Sequence, residues 1–235
     1  MLKSDKRHYS YLVLIVVLCL AAVGSARQGV ASAWHFKSVF YLEKLAKGDT
    51  LSQPAYQDAL VAAQKAQGLI PQNPHYNLML ARILEWGNYL HFVPLNVVEL
   101  ELLYTTAIAQ RPSWPDAYAA YAYMLAYLAQ QPERAALQLL LAEQHGPYMP
   151  DVLVQGMRIG SDFWQYMPAE FKGRYFVLVT RLAKSHGQAF REMANHLQQH
   201  PMRDLTCAYL RTQSLTPEQY QRSRRALCRS WPLPA

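Results

Sequence analysis

The sequence predicts an all-α protein in which a single N-terminal transmembrane helix precedes an array of antiparallel helix pairs. Three observations support this fold class. A pattern of two helices occurs twice between Ala59 and Tyr127, no segment shows the sustained alternation of apolar and polar residues that is typical of strands, and one N-terminal segment is long, apolar and uncharged. We expect the C-terminal helices to depart from the repeat, as the terminal helices of stacked arrays usually do.

The two copies of the repeat align at one constant offset along the chain. Each copy consists of an alanine-rich helix, a P-x-x-P break and a second amphipathic helix. The aligned identities are Ala66 with Ala107, Pro71 with Pro112, Pro74 with Pro115, Ala81 with Ala122 and Leu84 with Leu125. Proline ends one helix and suits the first turn of the next, while alanine lets two helices approach closely. The pattern is similar to tetratricopeptide repeats, although the offset exceeds their period of about 34 residues.

Start and stop signals divide the rest of the chain into helices. Pro132-Glu133 is a favourable helix start, and Thr216-Pro217-Glu218-Gln219 has the residues of a capping box. Gly48-Asp49 is expected to end the helix that follows the anchor. The expected helices are at about 28–47, 52–69, 74–90, 94–110, 114–130, 132–144, 148–159, 168–184, 187–199, 203–213 and 216–229.

The uncharged N-terminal segment runs from Tyr9 to Ala26. A helix of this length rises about 27 Å, which is close to the thickness of the hydrocarbon layer of a bilayer. Basic residues precede the segment, and they predict that the N-terminus stays in the cytoplasm. These residues are Lys3, Lys6 and Arg7.

The chain is therefore expected to divide into two parts with respect to the membrane. Residues 1–27 form a cytoplasmic tip and the transmembrane anchor, and residues 28–235 form a translocated helical domain. The alternative is a signal peptide that is cleaved after Gly24-Ser25-Ala26, because small residues suit a cleavage site. The apolar stretch is longer than the ~7–15 residues of most signal peptides, and this length favours an uncleaved anchor.

Composition and charge limit the kind of partner. Hydrophobic residues make up 51% of the chain and charged residues only 17%, so the chain can bury a core. The net charge of +7 agrees either with an ordinary soluble surface or with attraction to an anionic lipid or acidic polysaccharide. Nucleic acid is not an expected partner, since the helical domain is predicted to be translocated. A basic patch is predicted on the last helix, at Arg222, Arg224, Arg225 and Arg229.

The three cysteines divide into one within the apolar segment, Cys19, and a C-terminal pair, Cys207 and Cys228. Oxidising compartments favour disulfides, and one bond between the pair would stabilise the last helices by about 3 kcal/mol in the chain-entropy treatment. A free pair and a metal-binding pair are the alternatives. The wide spacing of the two residues, without a second pair nearby, argues against zinc.

Aromatic residues at helical spacing predict a binding groove. Repeat arrays present a concave face to their ligands, and aromatic rings on such a face suit a peptide or the apolar faces of sugar rings. Packing of the same rings in the core is the alternative interpretation. The predicted groove residues are Trp86, Tyr89, Trp114, Tyr118 and Tyr121.

No pattern predicts catalysis or metal binding. Glu192, His196 and His200 would share one helical face, but the H-E-x-x-H arrangement is missing and a polar surface stripe explains the spacing equally well. The sequence contains no G-x-S-x-G motif, no glycine-rich phosphate loop and no context for a nucleophilic cysteine. We therefore expect no catalytic residues, no metal site and no cofactor.

The order of several segments resembles that of a known family. An N-terminal anchor leads into AWHFKSVFYLEKL, then LIPQNPHYNLMLARILEW, and finally FVLVTRLA and CAYL. This chain resembles the VpsP-type proteins, which belong to exopolysaccharide biosynthesis. The resemblance covers most of the chain, and its most specific part is Asn73-Pro74-His75-Tyr76 followed by Ala81, Glu85 and Trp86.

The resemblance implies a membrane-anchored accessory protein of polysaccharide assembly or export in the bacterial inner membrane, with the helical domain in the periplasm. It implies no catalytic residues. The leading hypothesis is a scaffold that acts by protein–protein interaction with other components of a polysaccharide system. Direct binding of an acidic polysaccharide is one alternative, and a glycan-processing enzyme is another.

Overall fold

The computed structural model describes residues 2–46, 52–185 and 187–231. Within these ranges every regular element is helical, which confirms the predicted all-α class. The chain divides into two compact units, Met1–Gln110 and Arg111–Ala235. This division falls inside the second copy of the repeat, between its two helices. The predicted membrane division after residue 27 stays a prediction.

The first unit contains four helices: α1 (Leu2–Ala46), α2 (Gln53–Leu69), α3 (Pro74–Tyr89) and α4 (Val97–Gln110). Helix α1 packs on α2 and α3, α2 packs on α3, and α3 packs on α4. The first copy of the repeat is thus the pair formed by α2 and α3.

Helix α1 is one continuous helix, whereas the sequence predicts an anchor and a separate helix over 28–47. The reason is that no proline occurs between Leu2 and Ala46, and a glycine inside a helix costs only about 1 kcal/mol. This helix is long and apolar enough to cross a membrane, and its apolar part is unburied. The predicted helix end at Gly48-Asp49 lies outside the described residues.

The second unit begins with α5 (Pro115–Tyr123), which continues directly into one π-helical turn (Met124–Leu128). A single turn of 3₁₀ helix (Trp164–Tyr166) follows the third helix of this unit. The remaining helices are α6 (Pro132–His145), α7 (Pro150–Asp162), α8 (Ala169–Ser185), α9 (Gly187–Leu197), α10 (Met202–Arg211) and α11 (Pro217–Ala226). Helices α5 and α6 pack together, and α7 packs on both of them and on α8 and α9.

The helices begin where local chemistry favours a start. Proline occupies the first turn of α2, α3, α5, α6, α7 and α11, where its missing N–H costs nothing. The side chain of Asn73 accepts a hydrogen bond from the backbone N–H of His75 at the start of α3. At α11 both hydrogen bonds of the predicted capping box between Thr216 and Gln219 are present.

The alanines that the repeat aligns lie in the core. The aligned alanines are all buried, with 1% exposure at Ala66 and 0% at Ala107, Ala81 and Ala122. One glycine is required by packing in the first unit. A Cβ atom at Gly87 would lie 2.0 Å from the hydroxyl oxygen of Tyr56, whose side chain is fully buried.

Candidate interaction surfaces

The five predicted groove residues lie in both compact units. Trp86 and Tyr89, at the end of α3, belong to the first unit, and their rings form an edge contact with centroids 5.4 Å apart. Tyr89 is 71% exposed, so a partner can reach it. The other three residues belong to the second unit.

The three rings of the second unit are mostly buried. The exposed fractions are 9% for Trp114, 8% for Tyr118 and 4% for Tyr121. Each ring also has an internal hydrogen bond: Trp114 donates to Asp116 at 3.0 Å, Tyr118 donates to the carbonyl of Pro112 at 2.9 Å, and Tyr121 accepts from Arg134 at 3.1 Å. These contacts agree with the alternative interpretation of core packing. Ligand binding by the five rings stays a prediction, and Tyr89 is its most accessible member.

A more exposed apolar surface occurs on α4 in the first unit. Val98 is 77% exposed and Leu102 is 66% exposed, and a spacing of four residues places them on the same helical face. The opposite face of α4 buries Leu100, Leu103, Tyr104 and Ala107. Sequence reasoning missed this surface, although α4 has more apolar residues than one buried face requires.

In the second unit, α6 presents a similar pair at the same spacing. Leu137 is 56% exposed and Leu141 is 37% exposed. The buried side of α6 is held to α8 by a charged network, since Glu143 is 3% exposed and accepts hydrogen bonds from Arg174 and Arg181 at 2.6 to 2.9 Å. The exposed leucines therefore belong to a helix that ion pairs fix against α8.

The predicted basic patch separates into internal and exposed arginines, and Arg229 lies beyond the last residue of α11, Ala226, rather than on the helix as the sequence predicts. Arg222 donates to the backbone carbonyl of Ala183, and Arg224 donates to that of Trp231 at 2.8 Å. Arg225 and Arg229 are exposed. Two of the four predicted residues thus hold the C-terminal segment in place, because a guanidinium group satisfies carbonyl oxygens near a helix end.

A cavity of about 230 Å³ lies beside the end of α11. The structure joins Cys207 and Cys228 by a disulfide, and both residues line this cavity. Its polar lining residues are Gln198, Arg203, Asp204, Arg229 and Ser230. Arg203 donates to Asp204 at 2.9 Å and to the carbonyl of Gln198 at 3.1 Å, so part of the positive charge in the cavity is already engaged.

A polar cluster of the second unit is centred on Asp162, at the end of α7. Tyr127 donates to Asp162 at 2.5 Å, and Nε2 of His196 lies 2.8 Å and Nε2 of His200 3.5 Å from one oxygen of this carboxylate. Burial, together with the bond to Asp162, raises the pKa of Tyr127, whereas burial lowers the pKa of His200. Asp162 is a member that sequence reasoning missed, because it is 34 residues from His196.

This cluster does not have the geometry of a serine–histidine–aspartate relay. In such a relay the two imidazole nitrogens contact different partners, whereas here Ser161 (3.3 Å) and Asp162 (2.8 Å) both approach Nε2 of His196. Glu192, which the sequence places on the same face as the histidines, instead pairs with Arg158 at 3.1 Å. Among the described residues, no group of three or more His, Cys, Asp or Glu side chains is arranged to hold a metal ion.

A half-buried carboxyl group with a raised pKa occurs in the first unit. Glu85 on α3 accepts a hydrogen bond from the hydroxyl of Tyr104 on α4 at 2.6 Å. Burial raises the pKa of Glu85 to about 7, although the Tyr104 hydrogen bond and the charge of Arg82 act in the opposite direction. The group therefore titrates in the neutral range, and the folded state is favoured most when this carboxyl is protonated, because burial penalises its charged form.

Comparison with known proteins identifies the fold. No family model and no curated protein matches the chain. A thermophilic tetratricopeptide protein of Thermus thermophilus matches 82% of this chain and 98% of its own, with 17% identity and a TM-score of 0.50. PilF of Pseudomonas aeruginosa matches 86% of this chain and 84% of its own, with 19% identity and a TM-score of 0.50. The type IV pilus biogenesis factor PilW matches 83% of this chain and 84% of its own, with 15% identity and a TM-score of 0.49.

These likenesses concern the fold alone, because the sequence identities are low. Together with the all-helical elements, the likenesses to the Thermus thermophilus protein and to PilF show that the chain has a tetratricopeptide-like fold, and its one N-terminal apolar helix is long enough to cross a membrane.

Proposed function

We propose that this protein is a membrane-anchored scaffold of the bacterial envelope that acts by protein–protein interaction in exopolysaccharide biosynthesis or export. The observation that carries the scaffold proposal is the exposed apolar face of α4, with Val98 at 77% and Leu102 at 66% exposure, on a helix-pair array. Exposed apolar residues that recur on one face of a helix are typical of protein interaction sites. The polysaccharide system is proposed from the resemblance centred on Asn73-Pro74-His75-Tyr76.

The proposed location is the inner membrane, with the N-terminus in the cytoplasm and residues 28–235 in the periplasm. Support comes from the apolar, unburied part of α1 and from the basic residues that precede it. Cell fractionation and protease treatment of spheroplasts test this orientation with a C-terminal tag. We expect a full-length membrane protein whose tag is removed by external protease. A tag that is protected until the inner membrane is broken would contradict the orientation.

Site-specific photo-crosslinking in cells tests the interaction face. A crosslinking amino acid at Val98 or Leu102 is expected to capture an envelope protein, whereas the same amino acid at the exposed Gln64 of α2 serves as the matched control. The captured protein is then identified by mass spectrometry. Val98→Ser with Leu102→Ser should abolish function without loss of folding, since both side chains are exposed. Equal capture at all three positions would refute the proposed face.

Direct binding of an acidic polysaccharide is a second candidate function. The cavity beside the disulfide favours it, because exposed Arg229 and the adjacent Arg203 present positive charge there. Retention on an immobilised acidic polysaccharide, measured at increasing salt, tests this function. Arg229→Gln is expected to weaken retention, and Arg191→Gln on the exposed side of α9 is the control. Unchanged retention in Arg229→Gln would rule the cavity out as the binding site.

A further inference from the structure

The exposed residues of α1 beyond the uncharged segment follow a single pattern. Between residues 31 and 44 the exposed positions are Ala33, Phe36, Phe40 and Glu43, and every other position is buried or half-buried. Phe36 is 67% exposed and Phe40 is 54% exposed, although both are large aromatic side chains. The opposite face of α1 packs on α2 and α3, so within the described residues no other helix covers this exposed stripe.

Exposure selects this stripe between residues 31 and 44, and the same alternating steps of three and four residues extend it back into the apolar segment, where all side chains of residues 9–30 are exposed. Every position reached in this way from Leu12 onward, except the last, is apolar, small or cysteine. These positions are Leu12, Ile15, Cys19, Ala22, Ala26, Gly29, Ala33, Phe36, Phe40 and Glu43. A sustained repeat of this seven-residue period is the pattern of a helix that packs along another helix in a left-handed coiled coil.

Lipid does not cover the outer part of this stripe. Phe36 and Phe40 follow Ala26 by ten and fourteen residues on an unbroken helix, so they lie about 15 and 21 Å beyond the end of the apolar segment along the helix axis. The headgroup layer on each side of a bilayer is only about 5–8 Å thick, and an average tilt of about 20° shortens these heights by less than a tenth. A protein surface is therefore the appropriate occupant.

We propose that the occupant is a second copy of this chain, which forms a parallel dimer along α1. This inference rests on the proposed membrane anchoring, because two anchored copies present the same stripe at the same height and in the same direction. A two-fold axis between them lets each residue contact its own counterpart, which is the commonest arrangement of soluble homodimers.

The charges at the outer end of the stripe agree with this arrangement. Glu43 is exposed on the stripe, and Lys44 lies beside it, with its ammonium 4.6 Å from the centre of the Phe40 ring. In a parallel pair with this seven-residue register, Glu43 faces its own counterpart and also lies next to the Lys44 of the second copy, so the two ammonium groups offset the repulsion between the two carboxylates. Ala22 and Ala26 within the membrane, and Gly29 just beyond the apolar segment, let the two backbones approach closely.

Oxidative crosslinking of the full-length protein in membranes tests the dimer. In a Cys19→Ser background, Phe36→Cys and Phe40→Cys are expected to yield disulfide-linked dimers. The control, Gln57→Cys, lies at an exposed position of α2 and should stay monomeric. Native Cys19 should also crosslink in the unmodified protein, since it lies on the same stripe. Phe36→Ser with Phe40→Ser should reduce this Cys19 crosslink to the level of the control, and folding is preserved because both rings are exposed.

The outcomes separate the dimer from the proposed anchoring. Recovery of the protein in the soluble fraction would overturn the anchoring and the dimer together. Recovery in the membrane with crosslinking at Phe36→Cys no stronger than at Gln57→Cys would overturn the dimer and leave the anchoring in place.

Discussion

The two copies of the repeat stabilise their helix break with different side chains at the same position. In the first copy, Asn77 donates a hydrogen bond to the carbonyl of Pro71 at 3.0 Å, and in the second copy Tyr118 donates one to the carbonyl of Pro112 at 2.9 Å. The offset that aligns Pro71 with Pro112 also aligns Asn77 with Tyr118. In both copies the side chain at this position donates a hydrogen bond to the proline carbonyl at the break, although the residue type differs.

The second helices of the two copies differ further along. In the first copy α3 stays α-helical to its end, with Gly87 against Tyr56 and with Glu85 bound to Tyr104. In the second copy the positions aligned with Gly87 and Glu85 are Leu128 and Ala126, and both lie in the π-helical turn. Equivalent sequence positions thus acquire different neighbours, because each unit packs its own helices against them.

The largest expected effect is at Gly87. Gly87→Ala should destabilise the first unit by about 3 kcal/mol, because the added Cβ atom overlaps the buried ring of Tyr56. Amide hydrogen exchange, read separately for α2–α3 and for α5–α6, measures the effect in each unit. Gly68→Ala is the matched control, since nothing lies within 4 Å of its added Cβ atom. A similar loss of protection in both variants would show that Gly87 is not a packing requirement.

The next effect is expected at Asn77, which is 1% exposed. Its side chain accepts a hydrogen bond from Gln67 and donates to Gln110 and to the carbonyls of Pro71 and Asn73, so Asn77→Ala removes all of these contacts at once. We expect a loss of about 2 kcal/mol, confined to the first unit, in denaturant unfolding combined with hydrogen exchange. If the amides next to Pro71 kept their wild-type protection from exchange in Asn77→Ala, the proposed role of Asn77 at the helix break would be contradicted.

Glu85 should make the stability of the first unit depend on pH. Its pKa is about 7 in the folded state and about 4.5 in the unfolded state, so the stabilising contribution is fully present below about pH 4.5 and is lost as the pH rises through 7. Glu85→Gln should remove this dependence and raise the free energy of unfolding at pH 8 by about 2 kcal/mol. Thermal melts of both proteins between pH 5 and about 8.5 check the prediction. If the melting temperatures of both proteins changed with pH in the same way, Glu85 would not be the cause of the pH dependence.

The smallest effect is expected at the equivalent position of the second copy. Tyr118→Phe removes one hydrogen bond to Pro112 and leaves the ring stacked on His145, so a loss of about 1 kcal/mol is expected in the second unit. Tyr166→Phe, at a site that is 52% exposed, is the control and should change little. A loss as large as that of Asn77→Ala would mean that the two breaks are stabilised equally.

Much of the fold can be predicted from the sequence because helix boundaries depend on neighbouring residues. Proline in the first turn, the capping box at Thr216 and the alanine-rich segments predict helices whose observed ends differ by only a few residues from the expected ones. The candidate surfaces were less predictable. The spacing of Trp114, Tyr118 and Tyr121 indicates a shared helical region, but it does not distinguish an open groove from the core in which these rings lie.

The sequence by itself determined the helical class, the repeat with its two proline breaks and the apolar N-terminal segment, since each follows from local composition and spacing. Only the tertiary structure decided the contact of Asp162 with His196, the burial of Glu85 against Tyr104 and the exposure of Phe36 and Phe40 on α1. The physical reason is that burial depends on which faces of separate helices meet. Helical spacing in the sequence predicts which residues share one face of a helix. The packing of neighbouring helices determines whether that face is covered by the core, by a partner or by water.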